Sequence, residues 1–315
     1  MKKIAILQSN YIPWKGYFDL INLVDEFILY DDMQYTRRDW RNRNKIKTPS
    51  GLQWLSIPVI NKGKFYQKIN ETEVLDHDWC HDHWRAISLN YCKAPFFKEY
   101  EDRIRSVYEA CEKETYLSRI NYRFLTELCD ILGIHTKITW SSDYTLSEGK
   151  TERLVNLCLS AGGDAYLSGP AAKDYIVDQC FIDANVKLAY MDYSGYPEYP
   201  QSFGAFEHGV SVLDLIFHTG PDAHRYMKSF SDSIHIAVIF LNETTCCKGK
   251  SFSGTTAFSA FFLFKWRGFQ NGCKTAISFS AILLLLWVGS SDYGGLCLCL
   301  AADSALSATY LCLRK

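Results

Sequence analysis

Apolar residues recur in short, regularly spaced runs as far as about residue 230, and their spacing predicts the elements in turn. Residues 3–8 (KIAILQ) form a compact, β-branched apolar run that stops at the turn-forming pair Ser9-Asn10. Pro13 stands just ahead of a helical pattern over 14–24, and a second apolar run, 27–30, ends at Asp31-Asp32. Strand, helix, strand implies a parallel pair with a right-handed crossover, and ligands of such units sit beyond the strand ends, here at Gln8 and Asp31. Residues 41–47 and 52–59 are extended runs separated by Thr48-Pro49-Ser50-Gly51, a hairpin signal. Helical periodicity follows over 79–93, 97–113 and 116–132. A strand at 136–140, a helix at 151–161, strands at 165–167 and 187–190 and a helix at 211–217 return to the α/β rhythm. The expected fold is α/β: a Rossmann-like parallel sheet core carrying a hairpin and a helical insert.

Near residue 231 the pattern breaks, dividing the chain into an α/β domain over 1–230 and an atypical tail over 231–315. Charges thin out, and Cys246, Cys247, Cys273, Cys297, Cys299 and Cys312, half of the 12 cysteines, fall in the tail. The apolar run 276–289 falls short of the ~18–20 residues that span a bilayer. Two readings of the tail stand side by side: a read-through, out-of-frame or fused segment, or a membrane-associated or disordered appendage. In the first part Cys92, Cys111, Cys129 and Cys158 sit in apolar helical patterns, where a reduced cysteine acts as a small hydrophobe.

Charge alters the picture only locally. The 34 basic and 35 acidic side chains nearly cancel, so no global field draws in nucleic acid, anionic lipid or acidic polymers. The opening MKKIAIL has too short an apolar run for a signal peptide, which makes the cytoplasm the expected compartment. Residues 36–47 (TRRDWRNRNKIK) are the exception to neutrality: six cations face one acid, Asp39. On an extended backbone Arg41, Arg43, Lys45 and Lys47 share one face, with Asn42, Asn44 and Ile46 on the other. Such a row suits a diphosphate or carboxylated sugar, and with Trp40 interleaved it would also suit single-stranded nucleic acid, although a solvated basic face is the plain alternative.

Three further stretches carry candidate chemistry. In 8–17 (QSNYIPWKGY), Gln8, Tyr11, Trp14, Gly16 and Tyr17 could cradle a phosphate at a helix N-terminus, or could be core aromatics around a packing glycine. Asp31 and Asp32, followed by Gln34, point in different directions on an extended backbone, so one would face a ligand and the other a turn. Either could act as a base or bind a hydroxyl, and both could equally be turn acids. Ser168-Gly169 and Gln201 are hydrogen-bonding candidates at a strand end and in a loop. The stretch 76–83 (DHDWCHDH) matches no established zinc spacing and reads as a polar helix start, so no metal or cofactor is expected.

In this order the segments resemble the WbqC-like family. They are Gln-x-x-Tyr-x-Pro-Trp-x-Gly-Tyr-Phe at 8–18, Asp-Asp-x-Gln-Tyr at 31–35, Arg-Asn-Arg-Asn at 41–44 and Trp-Leu-Ser-Ile-Pro-Val at 54–59. Tyr-Leu-Ser-Gly at 166–169, Tyr-Pro-Gln at 199–201 and Ser-Val-Leu-Asp at 211–214 complete the set, which covers about 1–230. The resemblance implies a bacterial cytoplasmic protein encoded among genes for O-antigen or other surface glycans, without a settled reaction. Ser9 stands where the family often has proline. A fainter likeness to the His-x-Gly-His site of pantothenate synthetase fails at its histidines, which are Trp14 and Tyr17 here.

The leading expectation is a transferase that acylates or aminoacylates a nucleotide-activated amino sugar. Asp31, Asp32 and Tyr17 would be catalytic, and Gln8, Tyr11, Trp14, Gly16, Gln34, Arg41, Asn42, Arg43, Asn44, Lys45, Ser168, Gly169 and Gln201 would bind substrate. The runner-up is a non-catalytic scaffold of a glycan-assembly complex. Nucleic acid is the less favoured partner, and a membrane enters only if the tail is an anchor.

Overall fold

The computed structural model describes residues 1–231 and, beyond them, four strands at Phe258–Phe261, Ala281–Ser290, Tyr293–Ala302 and Tyr310–Cys312. The chain divides into two compact units, Met1–Asn242 and Glu243–Lys315.

In the first unit a five-stranded parallel sheet is built from β1 (Lys3–Leu7), β2 (Glu26–Leu29), β5 (Lys137–Trp140), β6 (Ala165–Ser168) and β7 (Lys187–Tyr190). Their order across the sheet is β5-β2-β1-β6-β7. The chain therefore moves outward from β1 in one direction and then returns to add β6 on the other side, which makes the gap between the ends of β1 and β6 the topological switch point. Period-two alternation splits the apolar residues of the strands between two cores. Ala5, Phe27 and Leu29 face one, with α1 (Lys15–Asn22), α2 (Asp78–Tyr91), α3 (Phe97–Cys111), α4 (Leu117–Ile131) and α7 (Val212–Thr219). Ile4, Ile6, Ile28 and Tyr166 face the other, with α5 (Thr151–Ser160) and α6 (Asp178–Asp183).

Between β2 and β5 the chain inserts the hairpin, β3 (Arg43–Thr48) and β4 (Gly51–Ser56), and the helices α2 to α4. Helix α4 shows why this insert packs: Leu117, Ile120, Asn121, Phe124, Leu125 and Leu128 recur at helical spacing and are all buried. Helix α7 starts where the Ser211 hydroxyl accepts the amide of Leu213 at 3.3 Å.

The expected α/β architecture is the observed one, with modest differences. Strand β3 begins two residues later than the extended run and β4 ends three residues earlier, while at the turn each strand gains one residue because Thr48 and Gly51 pair with each other and leave only Pro49-Ser50 between them. Helix α6 was not anticipated; its one turn and a half carries a single buried residue, Phe181. Cys111, Cys129 and Cys158 are buried as expected, but Cys92 is exposed at the end of α2.

The second unit holds an antiparallel sheet, β11 (Tyr310–Cys312), β10 (Tyr293–Ala302), β9 (Ala281–Ser290) and β8 (Phe258–Phe261), in that order. Most of the apolar run 276–289 lies in β9. Among the described residues no helix is long and apolar enough to cross a membrane. The other expectations about the tail fall outside the described residues.

Candidate functional site

The ends of β1 and β2 are tied together by Asp31. Its carboxylate accepts the Ser9 amide at 2.8 Å and the Ser118 hydroxyl from α4, and Asn121 of α4 donates to the Ser9 hydroxyl at 3.0 Å and to the Arg41 carbonyl at 2.9 Å. Burial pushes the Asp31 carboxyl up from the ordinary carboxylate range, against the pull of Ser118, Ser9 and Arg41. Arg41 precedes β3 and turns back over β1, donating to the side chains of Gln8 (3.2 Å) and Asn10, with Asp39 at 3.5 Å. Tyr17 donates to the Gln8 carbonyl at 2.8 Å; burial and Asp31 push its hydroxyl well up, so it keeps its proton. Asp32 accepts from Ser141 and from Arg153 at 3.4 Å.

Ser118 connects this cluster to a cleft of about 960 Å³ lined by Asn70, Glu71, Glu114, Arg119, Tyr122 and Trp140, among others. The Trp140 indole donates to the Ser118 hydroxyl at 3.3 Å. Asp31 thus touches the cleft through Ser118, a pairing the sequence did not reveal because the two lie 87 positions apart.

The basic row 41–47 is divided among three environments. On the inner face of β3, Asn44 donates to the carbonyls of Tyr11 (3.2 Å) and Ile12 (2.9 Å), clamping a loop in which Ile12 has φ of 36°. At the far end Lys47 is buried and donates to Gln201 at 2.8 Å. Gln201 also accepts the Glu207 amide (2.9 Å) and donates to the Glu207 carbonyl (3.0 Å), so it organises the 199–207 loop. Only Arg43 and Lys45 remain on the outer face, against Trp54 of β4.

Arg43 borders a smaller cavity of about 250 Å³ lined by Tyr35, Arg37, Arg38, Asn42, Arg43, Ser56 and Asn61. Among the described residues none of its three guanidinium groups has a carboxylate within 4.0 Å. The Arg43 Nε and Asn42 Oδ1 atoms are buried with no hydrogen-bond partner. Arg38 is held at φ of 60° while its carbonyl accepts from Arg43. Three guanidinium groups without a carboxylate partner around a small cavity, one with an unpartnered Nε–H donor, are the features of an oxyanion site; the Asn42 oxygen, an acceptor, adds nothing to it.

The other expected residues lie apart from that cavity. Tyr11 is in the core, its hydroxyl bonded to Tyr108 (2.6 Å) and His83 (2.9 Å). Gln34 is exposed and donates to the Phe65 carbonyl at 2.8 Å. Gly16 serves packing: a Cβ there would strike the Trp14 indole, which leans on Tyr193 and Tyr196. Ser168 and Gly169 close β6 across the switch point, with the Ser168 hydroxyl 3.3 Å from that of Tyr166. In the 76–83 stretch His77 reaches the Glu114 carbonyl at 3.1 Å, and the described residues contain no cluster able to hold a metal ion.

Two arrangements escaped the sequence. Lys15 lies buried with its ammonium 2.8 Å from the Pro197 carbonyl and 5.0 and 5.1 Å from the Tyr196 and Tyr199 rings, and burial lowers its pKa to about 8. Ser202 donates through its hydroxyl (2.7 Å) and its amide (2.9 Å) to His218 Nε2, while His218 Nδ1 faces the Asp214 carbonyl at 2.7 Å. The shared acceptor closes the 199–207 loop onto α7. Both depend on partners in the loop after β7, whose path no local pattern specifies.

A parallel sheet with order reversal at β1 and β6, carrying an inserted hairpin and helices between β2 and β5, defines a protein of the doubly wound α/β class. The chain belongs to the WbqC-like protein family, whose model matches residues 8–226. It is 52% identical over 228 residues to a Mycobacterium tuberculosis protein named Uncharacterized protein Rv1507c, a match covering 72% of this chain and 98% of that protein. No solved structure matches.

Proposed function

We propose that this chain is a cytoplasmic transferase of bacterial surface-polysaccharide biosynthesis that places an acyl or aminoacyl group on a nucleotide-activated amino sugar. The observation that carries the reading is the arginine cavity: Arg37, Arg38 and Arg43 around about 250 Å³ offer a diphosphate the charge and bidentate donors it needs. Arg41, expected in the same role, instead orders Gln8 and Asn10 at the end of β1. The Asp31–Ser118 pair supplies a proton acceptor at the larger cleft: a buried carboxylate that binds a proton readily, behind a hydroxyl on the wall.

The experiment is a calorimetric titration of the full chain with uridine and thymidine diphosphate amino sugars, alongside glycan analysis in cells. Binding weakened at least about tenfold in Arg43→Ala, and glycan modification lost in Asp31→Asn, are the expected results. Unchanged binding and unchanged glycan in both variants overturn the reading. One observation favours a non-catalytic binding protein instead: both Asp31 carboxylate oxygens already serve the frame. Product formation with the purified protein separates the two.

A further inference from the structure

Two indoles stand beside the arginine cavity on the outer face of the hairpin. Trp40 is 42% exposed and Trp54 is 40% exposed, far more than a core role would leave. Their ring centres are 5.5 Å apart with planes tilted by 37°. Another ring between them would need about 7 Å, two contact distances of ~3.5 Å, so the pair offers its outer surface rather than a slot.

Arg43 joins the indoles to the cavity. It lines the cavity, and its guanidinium carbon lies 4.1 Å from the Trp54 ring centre. The Lys45 ammonium sits 5.0 Å from Trp54 and 5.9 Å from Trp40. Register places Arg43 opposite Ser56 and Lys45 opposite Trp54, so cavity and indoles are two residues, or about 7 Å, apart along one strand. A ribose bridges a separation of that order between a phosphate and a base.

We propose that Trp40 and Trp54 form a stacking subsite for the nucleobase of a ligand whose diphosphate occupies the arginine cavity, with Arg43 common to both. The inference rests on the anion reading above and adds the base to it. Every base presents a π face to an indole, and the nearby cations favour the phosphate end, so a mononucleotide gains at both ends of the track. Near-zero net charge opposes a long polyanion as the ligand.

The test compares inorganic pyrophosphate, uridine diphosphate and an oligothymidylate on the full chain, by tryptophan fluorescence and calorimetry. Uridine diphosphate is expected to quench the indoles and bind about ten- to hundredfold more tightly than pyrophosphate. Trp54→Ala and Trp40→Ala are each expected to erase that advantage; because Trp54 packs on Arg43 whereas Trp40 does not line the cavity, Trp40→Ala is the variant expected to leave pyrophosphate binding intact. Equal affinity for pyrophosphate and uridine diphosphate, without quenching, overturns the stacking subsite and leaves the anion reading standing. Failure of both to bind overturns the two together. Affinity that climbs with oligothymidylate length and falls steeply with salt overturns the mononucleotide in favour of single-stranded nucleic acid.

Discussion

The two faces of strand β3 spend their polar groups in opposite ways. On the inner face the Asn44 amide is fully used: its nitrogen holds the Tyr11 and Ile12 carbonyls and its oxygen accepts the Lys45 amide. One residue earlier, on the outer face, Arg43 keeps a buried Nε without a partner beside two other arginines. Unpartnered buried atoms occur in the frame as well, at Asn121 Oδ1 and Trp79 Nε1, so what sets the outer face apart is its charge: three guanidinium groups that have, among the described residues, no carboxylate within 4.0 Å. The inner frame extends through the Tyr11 loop to His83 and through Ser9 to Asp31.

Damage should therefore show as lost stability on the inner side and as lost binding on the outer. The largest effect is expected from Asp31→Ala, which strands the Ser9 amide and the Ser118 hydroxyl: about 3 kcal/mol in urea unfolding. A loss below about 1 kcal/mol would break the distinction. His83 comes next. Burial lowers its pKa from 6.5 to about 4, so the unfolded chain binds its proton first and stability falls as pH drops from about 6.5 to about 4. The loss is expected to be roughly 2–3 kcal/mol and to vanish in His83→Gln, read as the melting temperature across that range. Gly16→Ala should cost about 1–2 kcal/mol, since displacing the Trp14 indole outweighs the gain in helix propensity. Smallest of all, Arg43→Ala should change unfolding by under about 1 kcal/mol while weakening nucleotide-sugar binding at least about tenfold.

The frame was more legible in the sequence than the site. Apolar runs and helical spacing located the sheet strands because each pattern is written within a dozen consecutive residues. The β1–β2 pair was legible as a βαβ unit and is observed, but the full strand order was not: β6 beside β1 is a matter of pairing across more than a hundred residues. The basic row was recognised as the place to look, and Arg43 with Asn42 does line the arginine cavity. Reading 41–47 as one uninterrupted strand, however, put Arg41 and Lys47 on the same face as Arg43. Arg41 lies before the strand and folds back to Gln8, and Lys47 is covered by the 199–207 loop. Ser118, Lys15 and His218 went unnoticed because each acquires its role from a partner remote in the chain or from a loop without a pattern of its own.

Asn44 and Arg43 are consecutive, so they share a peptide plane although their side chains leave on opposite sides of the sheet. Any displacement of the Arg43 backbone carries Asn44 with it, and the Asn44 amide is what restrains Ile12 in its left-handed conformation. The hairpin is then a lever with its load at the Tyr11–Pro13 bend. The same bend leads directly into α1, where Lys15 sits among its aromatic rings.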